Sequence, residues 1–286
     1  MTAFLKMHGL GNDFVVFDGR GGGFALDGTT ARALADRRLG IGCDQVIVIQ
    51  DGGGAADAAM RIFNADGGEV ESCGNAARCV ARLLMEEKDR SSVAIDTPGG
   101  LLACSDAGHG AVTVDMGAPK FGWRDIPLSQ ATGDKTPIQL PLDLFFGERN
   151  ELWAATGTPV SVGNPHFVVP VGNAAATAVY EYGSHLSKHP TFPRGTNVEF
   201  FSPLGKDRIR MRVFERGAGV TRACGTGACA AAVVAHLRGM TGRKTEVVLD
   251  GGSLWIEWRE SDEHIAMTGP ASLSFRGDVA LEDFAQ

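Results

Sequence analysis

One stretch of this chain is written twice. Residues 60–81 (MRIFNADGGEVESCGNAARCVA) and 211–232 (MRVFERGAGVTRACGTGACAAA) align without a gap at an offset of 151. Identical residues stand at Met60/Met211, Arg61/Arg212, Phe63/Phe214, Gly68/Gly219, Cys73/Cys224, Gly74/Gly225, Ala77/Ala228 and Ala81/Ala232. Those eight matches in 22 positions exceed the roughly one or two expected from ordinary residue usage. Weaker echoes follow in the same order. Gly11-Asn12 ahead of Phe14-Val15-Val16 resembles Gly163-Asn164 ahead of Phe167-Val168-Val169. Cys43-Asp44-Gln45-Val46 lies where Gly195-Thr196-Asn197-Val198 lies in the second copy. A period near 150 residues is too long for a solenoid, so the chain is read as a duplicated domain.

Each copy carries the same coarse pattern. A strand (13–17; 166–169) is followed by a helix (29–39; about 174–186) and a strand (46–49; 198–201). Then come a strand into a Gly-rich loop, a helix beginning at Cys-Gly, and a meander of short strands. The second Cys-Gly helix, 225–237, has no Asp, Glu, Lys or Arg, and a helix apolar all round is buried. The expected fold class is therefore α/β (α+β): two pseudo-symmetric lobes, each a curved mixed sheet wrapped around a central helix. Residues 1–118, completed by about 270–286, form the N-terminal lobe, and 119–269 the C-terminal lobe, with the active site in the cleft between them. Residues 121–151, rich in Pro, Gly and polar side chains, contain the crossover.

Composition removes several function classes. The net charge of −7 leaves no basic surplus for phosphates, so nucleic acid is not an expected partner. Residues 1–18 lack a charged segment followed by an apolar run, which argues against a secretion signal. The longest charge-free apolar stretch, 223–237, is dominated by Gly and Ala and is too short to span a bilayer. The chain is read as cytoplasmic, with no membrane partner. The Gly-rich pieces 21–23 and 52–54 fit neither the Walker nor the Rossmann pattern and are read as loops. Six cysteines are present, with no CxxC pair and no Cys-His spacing that suits zinc, so no metal is expected. A disulfide framework is the weaker reading for a chain of this size without a secretion signal.

Two of the six differ from the rest. Cys73 and Cys224 each precede a Gly and an Ala-rich helical run, at a helix N-terminus where unpaired N–H groups favour anions. Such a setting lowers a thiol pKa from about 8.5 toward neutrality. Cys43, Cys79, Cys104 and Cys229 lack that context, and Cys79 and Cys229 are expected to be buried and inert within the helices. Pseudo-symmetry would set Cys73 opposite Cys224. Inverting a tetrahedral carbon needs that arrangement: one thiolate removes hydrogen from one face and one thiol returns a proton to the other. The N–H groups of Gly74, Asn75, Gly225 and Thr226 would stabilise the carbanion through its carboxylate. The alternative is packing, or two relics of the duplication. No pyridoxal lysine motif or nucleotide fingerprint is evident, so no cofactor is expected.

The copies differ at Asn64-Ala65 against Glu215-Arg216. An adjacent acid and base can clamp an ammonium and a carboxylate, which suggests a second amino-acid head group, while a surface charge pair is the plain alternative. Asn12, Gln45, Asn164 and Asn197 are repeat-equivalent amides that could line the cleft or simply form turns. His166, after Asn164-Pro165, is read as orienting or packing, since a Cys–His hydrolase gives no reason for two matched cysteines.

These motifs resemble the diaminopimelate epimerase family. His8-Gly9-Leu10-Gly11-Asn12-Asp13-Phe14, Gly42-Cys43-Asp44-Gln45, Phe63-Asn64-Ala65-Asp66-Gly67 and Ser72-Cys73-Gly74-Asn75-Ala76-Ala77-Arg78 carry the likeness in the first half. Gly163-Asn164-Pro165-His166, Asn197-Val198-Glu199-Phe200, Glu215-Arg216-Gly217-Ala218-Gly219 and Ala223-Cys224-Gly225-Thr226-Gly227 carry it in the second. Val220 departs from the pattern, where the family often has Glu. The resemblance implies interconversion of LL- and meso-2,6-diaminopimelate for lysine and peptidoglycan synthesis, without a cofactor and often as a homodimer. It implies Cys73 and Cys224 as the acid/base pair, with Gly74, Asn75, Gly225 and Thr226 at the reacting end. Asn64, Asn164, Asn197, Glu215 and Arg216 would hold the distal L-centre, Asn12 and Gln45 would line the site, and Glu215 and His166 would assist catalysis. The nearest rivals are a proline or hydroxyproline racemase-type enzyme and a non-catalytic amino-acid-binding protein of the same fold.

Overall fold

The computed structural model describes residues 1–22, 24–70, 73–146 and 149–284, with 142–146 and 149–154 described by their backbone alone. Gly23 and Ser72, named above within motifs, lie outside the described residues. The chain divides into two compact units: unit 1 comprises Met1–Asp115 and Thr268–Gln286, and unit 2 comprises Met116–Met267.

Unit 1 begins with strands β1 (Thr2–Gly9) and β2 (Asn12–Asp18), helix α1 (Gly28–Ala35), β3 (Gln45–Asp51) and β4 (Ala58–Asn64). Helix α2 (Gly74–Lys88) and strands β5 (Ser92–Thr97), β6 (Gly100–Gly108) and β7 (Ala111–Asp115) follow. Unit 2 carries β8 (Ile138–Phe146), β9 (Arg149–Ser161), β10 (Pro165–Pro170), helix α3 (Val179–Leu186), β11 (Asn197–Gly205), β12 (Arg208–Glu215) and β13 (Gly219–Thr221). Helix α4 (Gly225–Leu237), β14 (Lys244–Leu249) and β15 (Gly252–Trp258) come next. Strand β16 (Ile265–Pro270) leads the chain back to unit 1, where β17 (Ser272–Val279) pairs antiparallel with β1.

The duplication is written into the strand pairings. In unit 1, β2 runs parallel to β3, β3 antiparallel to β4, β4 parallel to β5, and β5 antiparallel to β6. Unit 2 repeats the sequence: β10 parallel to β11, β11 antiparallel to β12, β12 parallel to β14, and β14 antiparallel to β15. Register fixes the equivalence residue by residue. Phe14 pairs with Gln45 and Val46 with Phe63 in unit 1, while His166 pairs with Asn197 and Val198 with Phe214 in unit 2. His166 therefore occupies the place of Phe14. The sequence echo that matched Phe14 with Phe167 is one residue out, because the strand pairing and not the aromatic run sets the frame.

Each unit closes around its Cys-Gly helix. Helix α2 packs against β1, β5, β6 and β7, and α4 against β9, β10, β11, β12, β14 and β15. Every residue of α4 from Gly225 to Ala235 is buried, and its small Ala and Gly residues let the surrounding strands approach. Helix α2 instead ends in exposed Glu86, Glu87 and Lys88. Phe17, Leu34, Val46 and Phe63 anchor a core in unit 1, and Phe167, Leu186, Val198 and Phe214 anchor one in unit 2.

Three local expectations change. Helix α1 stops at Ala35 rather than Leu39, because the Asp36 carboxylate accepts the N–H groups of Arg38 and Leu39 at 2.7 and 2.8 Å and turns the chain. The helix expected over about 174–186 splits. Residues 174–176 form one 3₁₀ turn, Thr177 leaves it with extended backbone, and α3 starts at Val179. The span 121–151 is more than a connection, since it contains β8 and the start of β9, which pair as a hairpin. Among the described residues no helix is long and apolar enough to cross a membrane.

Candidate active site

In unit 1, Cys73 is the N-cap of α2 in extended conformation (φ −147°, ψ 107°), partly exposed and with no side-chain cap bond. Gly74 and Asn75 follow as the first helical residues, whose N–H groups a helix cannot satisfy internally. The Cys73 Sγ approaches Asn12 Oδ1 at 4.0 Å, and the same oxygen accepts a bond from Asn75 Nδ2 at 3.0 Å. Asn12 is held from behind: its Nδ2 donates to Asp44 Oδ2 at 2.9 Å, and Arg37 bridges Asp44 and Asp13 at 2.7 and 2.6 Å. Lys6 Nζ closes this network on Asp13 at 2.6 Å. Burial alone would raise the Asp13 pKa, but the hydrogen bonds and charges of Arg37 and Lys6 outweigh it and hold the carboxyl at about 2. Gln45 and Asn64 face each other across β3 and β4, with Gln45 Nε2 donating to Asn64 Oδ1 at 2.9 Å. Gln45 Oε1 is buried and has no protein partner.

In unit 2, Cys224 caps α4 with similar backbone (φ −122°, ψ 115°) but is 5% exposed. Its Sγ accepts the Gly227 N–H at 3.4 Å and lies 3.6 Å from Thr226 Oγ1. Glu215, at the end of β12, hydrogen-bonds the Thr221 hydroxyl and the Cys224 thiol. Burial pushes the Glu215 carboxyl up, against the pull of those two bonds. Burial also pushes the Cys224 thiol well up, and the carboxylates of Glu215 and Glu199 push it further. This overturns the expectation of a lowered thiol pKa at that helix start. The N–H bond from Gly227 favours the thiolate, but loss of water and two nearby carboxyl groups cost it more. These surroundings favour the protonated form of Cys224.

Asn197 spends both ends of its amide on backbone. Its Oδ1 accepts the Arg216 N–H at 2.8 Å and its Nδ2 donates to Pro165 O at 3.1 Å, so it fixes where Arg216 leaves β12. The Arg216 guanidinium bonds Arg194 O at 3.0 Å. Gly195, at φ +70°, leaves room for the Arg216 stem, which a side chain there would meet at 3.1 Å. His166 is fully buried, with Nδ1 at 2.7 Å from Glu199 Oε1 and Nε2 at 2.7 Å from Asn164 Oδ1.

None of the remaining cysteines caps a helix. Cys43, Cys79 and Cys104 are buried thiols whose pKa is pushed by desolvation to about 11, 12 and 12. Cys229 lies fully buried in α4. Unit 1 thus assembles Asn12, Asn75 and Cys73 in one cluster and Gln45 with Asn64 in a second. Unit 2 assembles Glu215, Cys224 and Thr226 in one, Asn164 and His166 in another, and Asn197 with Arg216 in a third. Sequence reasoning missed Asp44, Thr221 and Glu199. Asp44 and Glu199 sat inside motifs that were read for their neighbours, and Thr221 gives no signal beyond ending the short strand β13 three residues before Cys224.

The family model described as diaminopimelate epimerase matches residues 4–122 and 158–274. The chain belongs to the diaminopimelate epimerase family. A diaminopimelate epimerase of Erythrobacter litoralis is 49% identical over 99% of each chain. One from Phenylobacterium zucineum is 47% identical over 96% of this chain and 97% of its own. The fold also occurs in a probable proline racemase from Agrobacterium radiobacter, with TM-score 0.69 and 18% identity over 100% of this chain and 94% of that one. That likeness speaks for the architecture alone. As a member of the diaminopimelate epimerase family, the chain is an isomerase of mixed α/β fold.

Proposed function

We propose that this chain interconverts LL- and meso-2,6-diaminopimelate without a cofactor, Cys73 and Cys224 working on opposite faces of one α-carbon. The observation that carries this reading is the pair of cysteines capping α2 and α4 at repeat-equivalent positions. In one direction of the reaction Cys73 works as the thiolate and Cys224 as the thiol, and in the other direction the roles exchange. The Cys73 sulfur takes the α-hydrogen as a proton and leaves its electron pair on carbon. The Cys224 thiol then gives its proton to the opposite face and becomes the thiolate. The reverse substrate, or proton exchange, resets the pair. Charge building on the substrate carboxylate is met by the N–H groups of Gly74, Asn75, Gly225 and Thr226. Glu215, bonded to Cys224, and His166 assist the proton movements. Asn64, Asn164, Asn197, Glu215 and Arg216 hold the distal amino-acid group, and Asn12 and Gln45 line the site.

The same reading places the reaction in the cytoplasm, feeding lysine and peptidoglycan synthesis, and makes the enzyme a homodimer. Leu273 and Phe275, exposed on β17, offer apolar surface to a second copy. Light scattering at one subunit mass would remove the dimer. The activity itself is tested by incubating purified protein with LL-diaminopimelate in D2O. We expect meso product with deuterium at the inverted α-carbon. Turnover of proline but not diaminopimelate would overturn the assignment. A cyclic imino acid leaves Glu215 and Arg216 without a second head group to hold.

A further inference from the structure

Strand register sets three positions of unit 2 against three of unit 1. His166 stands where unit 1 has Phe14, and Glu199 where it has Ile47. Gly227 stands where the repeat has Ala76. Phe14, Ile47, His166 and Glu199 are all fully buried. The scaffold is therefore satisfied by a phenylalanine and an isoleucine on these paired parallel strands. Unit 2 replaces that apolar pair with a hydrogen-bonded histidine and carboxyl group, an exchange that costs desolvation. The third change makes room for the second. A side chain at Gly227 would meet Glu199 Oε1 at 2.8 Å and Cys224 Sγ at 3.2 Å. Glu199 Oε2 is buried in the same place with no hydrogen-bond partner. Three coordinated departures from an apolar arrangement, one of them leaving a buried oxygen unsatisfied, point to use and not to packing.

We infer that Glu199 is a positioning residue: its carboxylate accepts the Nδ1–H of His166 and fixes the ring, and the ring, donating from both nitrogens, uses its Nε2–H on Asn164 Oδ1 to set which way the Asn164 amide faces. The chain of contacts is direct, at 2.7 Å from Glu199 to His166 and 2.7 Å from His166 to Asn164. Asn164 sits after Gly163, which holds a positive φ of 85°, so the amide hangs from a turn and is aimed by its bond to the ring. With Oδ1 engaged by His166, the Asn164 NH₂ group is the end left to meet a substrate carboxylate. This inference rests on the epimerase reading for the substrate, but not for the geometry.

The experiment compares Glu199→Gln, Glu199→Ile, Asn164→Ala and the Glu199→Ile/Asn164→Ala double variant, each checked for folding by near-UV circular dichroism. The His166 Nδ1–H proton resonance is followed by NMR in the free protein. We expect that resonance in the wild type and in Glu199→Gln, whose amide oxygen still accepts, and its loss in Glu199→Ile. We expect kcat/KM to fall about 10- to 100-fold in Glu199→Ile, mainly through KM, with most of it recovered in Glu199→Gln. The double variant should be no worse than Asn164→Ala. A folded Glu199→Ile with full activity, or additive losses in the double variant, would overturn the inference. If Glu199→Ile does not fold, Glu199→Gln decides: a lost resonance with unchanged KM overturns the inference, and a retained resonance supports it. A wild type that turns over no diaminopimelate defeats the epimerase reading, and the resonance still settles whether Glu199 holds the ring.

Discussion

The cysteine of unit 1 sits among neutral amides, and the cysteine of unit 2 among groups that ionise. Cys73 has Asn12 and Asn75 beside it, and the charges of Lys6, Asp13, Arg37 and Asp44 stand one layer behind, holding Asn12. Cys224 is buried with Glu215 on its thiol and Glu199 nearby. Both stand on the same backbone, at the same helix start, in sheets of the same pairing order. Duplication thus supplied two equal mounts, and the side chains around them give the two sulfurs different surroundings. In the proposed two-thiol mechanism, a pair of identical thiols would compete for one proton without preference, and unequal surroundings would decide which sulfur holds it when the substrate arrives.

The comparison breaks most sharply at the sulfurs. Replacing either Cys73 or Cys224 by Ala should lower epimerisation by about a thousandfold or more. Residual turnover within tenfold of wild type for one of them, measured by product formation and deuterium incorporation, would show that the two mounts are not both used. The next largest effect concerns the asymmetric end. Arg216→Met should raise KM about 30- to 100-fold, in line with loss of a charged hydrogen bond, with kcat changed much less. Steady-state kinetics showing an unchanged KM would remove Arg216 from the distal contact.

The third test exchanges a residue between copies. Gly227→Ala installs what unit 1 carries at Ala76, but here the new methyl group meets Glu199 and Cys224. It should cost about 1–3 kcal/mol in stability and lower activity, whereas Ala76→Gly should cost about 1 kcal/mol and spare the chemistry. Equal effects in thermal melts and turnover would mean that the crowding around Gly227 is unimportant. The smallest effect lies in the layer behind Cys73. Asp13 titrates near 2 in the folded chain, below its ordinary 3.8. Its contribution is therefore present above 3.8 and lost as pH falls through about 2. Asp13→Asn should lower stability by about 2 kcal/mol at neutral pH and flatten the acid limb of the denaturation curve. An unchanged acid limb would mean that the charged network behind Asn12 does not support unit 1.

Much of this is legible in the amino-acid sequence, and for identifiable reasons. The repeat is a one-dimensional signal, and the pairing order of both sheets follows it. Helix α4 could be bounded at 225–237 because it is apolar on every side and stops at charged Arg238. Helix α1 could not be bounded, since the stop comes from an Asp36 side chain folding back on its own backbone. The segment 270–286 was expected to complete the N-terminal lobe, but its strand β17 was not legible, because Leu273 and Phe275 point to solvent and no inward-facing pattern marks it. The cysteines were readable from their Gly-Ala context. The raised proton affinity of Cys224 was not, because it comes first from burial and then from the carboxyl groups of Glu215 on β12 and Glu199 on β11, which only the fold brings together. Glu199 looked like one polar residue in a strand. Only the frame that sets it against Ile47 makes it stand out.

Unit 1 is sewn from two separated stretches of chain, with β17 completing its sheet along β1. On the ribosome β17 emerges only after the whole of unit 2. Until then β1 waits with an open edge, a site for pairing with other nascent chains. The second copy of the duplication can finish folding while the first is still unzipped along one side. Any delay in translating the last strand therefore lengthens exposure of β1 and leaves the folding of unit 2 untouched.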